Sequence, residues 1–123
     1  MSVQCNQYVG FGYMLDFKEA RRYLVQTLGE EGYEAMADQY SDSAFESAIA
    51  EVYGCSMIED GMNGKYTFFG KIYAKSSNYE PLESMVLEEP TERVRIITEH
   101  EFRRIFGTGF EVEPKLQIIV HYR

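Results

Sequence analysis

The sequence predicts an α+β fold: a mostly antiparallel sheet of about four to six strands, with three N-terminal helices and one short C-terminal helix packed on one face. Three observations predict it. Helical apolar spacing is concentrated in residues 16–54, alternating strand patterns dominate from residue 55 onward, and the two kinds of segment do not interleave regularly. Segregation of this kind marks α+β architecture, where a parallel sheet would need strands and helices in turn.

The first element is a strand. From Cys5 to Leu15 the side chains alternate, with Cys5, Gln7, Val9, Phe11, Tyr13 and Leu15 on one face. Asn6, Tyr8, Gly10, Gly12 and Met14 take the other. Gly10 and Gly12 therefore leave a bare patch of backbone, which marks a bulge or the close approach of something else. A helix of the same chain packed on the patch is one reading, and a groove for a ligand or a partner's backbone is the other. Gly-x-Gly alone does not make a dinucleotide site, because position 15 is Leu where that fingerprint needs a third glycine.

Asp16 can cap the helix that follows, and Glu19 completes a capping box. Phe17, Ala20, Leu24, Val25 and Leu28 form its apolar stripe, and Gly29 is its stop signal. A second helix is expected over 30–40, with Tyr33, Met36, Ala37 and Tyr40 inward. A third is expected after Ser43 and Glu46, with Phe45, Ala48, Ile49, Val52 and Tyr53 inward and Gly54 at its end.

Strands are expected over 55–59 and 65–75, joined through Asn63-Gly64, the strongest hairpin signal in the chain. Further strands are expected over 84–88 and 92–97, then a short helix from a Thr98/Glu101 capping box to Phe106. The last strand, 115–123, alternates Leu116, Ile118, Val120 and Tyr122 with Lys115, Gln117, Ile119, His121 and Arg123.

A chain of 123 residues is expected to form a single α+β domain over 1–123, and 45% hydrophobic residues suit a globular one. The net charge of -8 argues against general affinity for double-stranded nucleic acid or anionic membranes. No run of ~20 apolar residues is present to cross a bilayer, and the first residues lack the basic and apolar regions of a signal peptide. Cys5 and Cys55 do not make a disulfide framework, so a cytoplasmic location is expected.

Catalytic motifs are lacking. His100 and His121 have no neighbours that would make either a general base, and two Cys with two His lack zinc spacing. No Walker, Gly-x-Ser-x-Gly or His-Glu-x-x-His pattern occurs, and neither cofactor nor metal is expected.

The expected function is non-catalytic binding to another protein, a basic-surfaced partner being suited to the acidic helices. Small acidic domains of this kind are common among accessory and inhibitor proteins of phages and mobile elements, an association drawn from size and character. The alternative is a nucleotide or small-anion binding protein, an enzyme being one form of it. Its site would be Lys65, Phe69, Lys71, Tyr73 and Lys75 on one open strand face, together with Gly10 and Gly12. Cations interleaved with aromatic rings neutralise phosphate and stack bases. A homodimer through an open sheet face is a third option.

Overall fold

The computed structural model describes residues 5–39, 54–76 and 88–122. The elements in order are β1 (Cys5–Asp16), α1 (Phe17–Gln39), β2 (Ser56–Glu59), β3 (Tyr66–Ser76), α2 (Glu92–Phe106) and β4 (Lys115–Tyr122). The four strands form one antiparallel sheet in the order β2-β3-β1-β4. The α+β class and the antiparallel sheet agree with the sequence reading. The helix count does not: the described residues hold two helices, not three at the N-terminus and one at the C-terminus.

Continuation of the helix past Gly29 and the bounds of the described residues account for that count, and one expected strand proves to be helix. The backbone does break at Gly29, where φ is 76° and ψ is 168°, but helical structure resumes at once and runs on to Gln39. The glycine stop signal therefore marks a kink within α1. The predicted strand over 92–97 is instead the first half of α2. Thr91 caps that helix, its hydroxyl accepting from Val94 N at 3.3 Å. Six residues that alternate Val94 and Ile96 with Arg93 and Arg95 fit a strand. Over the full length the buried set is Val94, Thr98, Phe102, Ile105 and Phe106, which is helical spacing. Ile96, inward on the strand reading, is 59% exposed. The expected third helix and most of the expected 84–88 strand lie outside the described residues.

β1 runs straight into α1, with Asp16 ending the strand and accepting from Glu19 N at 3.2 Å. Both helices lie on the same face of the sheet, over β1 and β3, and against each other. The core between them and the sheet holds Tyr13, Leu15, Met57 and Phe69 from strands, Ala20, Leu24, Tyr33 and Met36 from α1, and Phe102, Ile105 and Phe106 from α2. The Tyr13 ring stacks on Phe102 at 3.8 Å between centroids.

The opposite face carries a second buried cluster of Tyr8, Ile58, Phe68, Ile72 and Ile119. This face is concave. Tyr66 lies opposite Asp16 and His121 opposite Asn6, so ten residues of β1 separate their positions, about 33 Å along a straight strand. Yet the Tyr66 hydroxyl is 2.7 Å from His121 Nδ1 and donates to the Val120 carbonyl at 3.2 Å. Only a strongly curled sheet brings those corners together. Gly10, Gly12 and Gly70 all sit on the concave face of the β1–β3 ribbon, where side chains would crowd the bend.

The glycine patch is explained by that curl. A methyl on Gly10 would meet Phe68 Cζ at 2.9 Å and Ile72 Cδ1 at 3.2 Å, so side chains of the next strand fill the gap. Gly12 lies directly opposite Gly70, and a methyl on either would come within 2.6 Å of the other's Cα. The approaching group is thus β3, not a helix.

Candidate docking edge

The residues singled out in the sequence do not share one open face. Phe69 is 0% exposed and belongs to the helix-side core. Lys71 is also buried, opposite Phe11, with its Nζ 6.0 Å from the centre of the Tyr73 ring. Lys65 is exposed but belongs to the hairpin turn, where its backbone N–H donates to Asp60 Oδ2 at 3.0 Å. The ladder shifts register between Val9 and Gly10, and Tyr73 is the extra residue, with Ile72 opposite Gly10 and Ala74 opposite Val9. A bulge reverses the alternation. It places Lys75 opposite Tyr8, on the concave face. Of the predicted row, Lys71 and Tyr73 remain together, and Arg95 of α2 stands over the adjacent Phe11 ring at 5.0 Å.

A different surface is the most exposed apolar feature among the described residues. Leu116, Ile118, Val120 and Tyr122 of β4 are 38%, 62%, 43% and 46% exposed. They lie opposite Phe11, Val9, Gln7 and Cys5, on the side of the sheet that bears the helices. The helices cover β1 and β3 and leave this strand open. The alternate residues Ile119 and His121 are buried on the concave face. Sequence alternation did mark the two sides of β4, but not which side faces solvent. That depends on how far across the sheet the helices reach.

β4 is also an edge strand, so its outer N–H and C=O groups have no neighbouring strand among the described residues. Natural edges are blunted by shortness, proline, bulges or charge. β2, the opposite edge, is four residues long with Ser56, Met57 and Ile58 buried. β4 has eight residues, pairs with β1 without a register shift, contains no proline and has one Lys, at its first position. An extended chain could hydrogen-bond along it and cover the four apolar side chains, which is how strand addition works.

The chemistry elsewhere is structural. The Asp60 carboxylate accepts from Asn63 N and Lys65 N and so holds the β2–β3 turn. Tyr33 donates to Glu59 at 2.6 Å, and burial with that bond pushes its phenol up to about 12. Burial raises the Cys55 thiol to about 11, against a lesser opposing effect from Thr98, which makes it a poor nucleophile at neutral pH. An open hollow of roughly 410 Å³ is lined by Met14, Glu111, Val112, Glu113, Lys115 and Gln117, with charges of both signs. Among the described residues no cluster of His, Cys, Asp and Glu could hold a metal, and no helix is long and apolar enough to cross a membrane. Compared with known proteins, the chain matches no family model, no curated protein and no solved structure.

Proposed function

We propose that the chain acts without catalysis, by binding a polypeptide along the outer edge of β4. The observation that carries this reading is the row of Leu116, Ile118, Val120 and Tyr122 exposed on an unblunted eight-residue edge strand. Backbone hydrogen bonds would supply affinity, and the four side chains would select the occupant. The chain's net charge of -8 suits a partner that also offers a basic surface, and docking of such a partner weakens with salt. The alternative, a nucleotide or small anion along Lys65–Lys75 with Gly10 and Gly12, has less support, since Phe69 and Lys71 are buried and Lys75 lies on the other face.

The test is capture from a lysate by the tagged chain and by its Ile118→Lys variant. Ile118 is 62% exposed, so the variant should melt within about 2 °C of the wild type. A stoichiometric partner held by the wild type and lost by the variant supports binding at β4. A partner held equally by both rules it out.

A further inference from the structure

Resting on the β4 reading, we infer that this edge takes a second copy of the same chain, paired antiparallel about a twofold axis at Ile119. An isologous contact must be complementary to itself, and the stripe is. Centred on Ile119, the register sets Ile118 opposite Val120 of the second copy and Leu116 opposite its Tyr122. All four exposed side chains then meet one another, as cross-strand aliphatic and aliphatic–aromatic pairs. Moving the centre to Ile118 leaves Tyr122 beyond the end of the facing strand. A shift of one residue in the pairing would set the apolar side against the opposite face. The joined sheet would run β2-β3-β1-β4 and then the same four strands in reverse, which removes both long edges.

Charge opposes self-association least on this side of the chain. Residues 1–91 carry a net -9, whereas residues 92–123 hold six Lys and Arg against five Glu, a net +1. Two copies that meet through the α2–β4 side bring together the part of the chain that is not acidic. The remaining acid of each copy still repels the other. Salt screens that repulsion, so this association tightens as salt is added. Docking of an oppositely charged partner does the reverse.

The area involved limits the strength. A standard interface takes about 20–30 residues a side, and β4 offers eight. The dimer is therefore weak and concentration-dependent.

Sedimentation equilibrium of the full chain over a wide range of concentration tests the inference. Expected are a monomer–dimer equilibrium, a tighter dimer at 0.5 M than at about 0.05 M NaCl, and a dissociation constant raised at least about tenfold by Ile118→Lys. Register is read by cross-linking. A chain with both Ile118→Cys and Val120→Cys should give a disulfide-linked dimer under mild oxidation, well above the level of the wild type or of Ile118→Cys alone. A wild type that stays monomeric throughout, or a dimer unaffected by Ile118→Lys, overturns the inference. The two readings fail separately. A monomer that still loses a captured partner on Ile118→Lys keeps the docking edge without the dimer. A dimer broken by that change while capture persists keeps the dimer and moves the partner elsewhere.

Discussion

Gly12→Ala is the substitution that most directly probes the curled sheet. The added methyl would lie 2.6 Å from the Gly70 Cα and closer still to the Phe69 carbonyl oxygen. Carbon atoms rest at about 3.5 Å or more, so β1 and β3 would have to part by about 1 Å at the centre of their ladder. Overpacking costs about 1–3 kcal/mol where side chains can move aside. Here the obstacle is backbone, so the upper end applies, less the roughly 0.4–1 kcal/mol by which alanine disfavours the unfolded chain. A net loss of about 2 kcal/mol corresponds to about 8 °C in a domain of this size. Gly61→Ala is the control: nothing lies within 4 Å of the added methyl and its φ is not positive, so its melting point should hold or rise slightly. Thermal melts followed by circular dichroism, with urea titration for the free energy, give both numbers. A Gly12→Ala protein that melts within about 2 °C of the wild type would show that the strands do not cross this closely, and the account of the glycine patch would fall.

Two further predictions concern the corner where the sheet meets itself and the Cys55 thiol. Tyr66→Phe removes the hydroxyl that touches both His121 and the Val120 carbonyl, and should cost about 1–2 kcal/mol in urea titration. Burial lowers the His121 pKa, with Asp60 opposing. The unfolded state therefore binds the proton first, and stability present above the unfolded value near 6.5 is lost as pH falls through the folded one. Melts from pH 7.5 to 5 should show that loss, and His121→Gln should flatten it; an unchanged slope in the variant would assign the acid sensitivity to other groups. Cys55 should alkylate far more slowly than an unfolded-chain thiol at pH 8, read by mass spectrometry with denaturant as the comparison. Equal rates would mean that the thiol is not buried as described.

Local structure was legible wherever short-range chemistry decides it. The Cys5–Leu15 alternation, the Asp16 cap and the Asn63-Gly64 turn read directly, and all three are present in the fold. Each depends on residues within one strand or one turn. Six residues of α2 misled because alternation and helical spacing agree over so short a span, and only the facing Phe102 and Phe106 core selects the helix. The bulge at Tyr73 and the Gly12–Gly70 crossing involve two strands separated by about fifty residues, so no local pattern encodes them. Composition and hydropathy patterning also determined by themselves that the chain is acidic, α+β and without a recognisable catalytic motif. Tertiary structure alone decided which side of β4 faces water. A period of two separates the faces of a strand, but the reach of the helices across the sheet determines which face is left open, and here they cover β1 and β3 and leave the apolar side of β4 exposed.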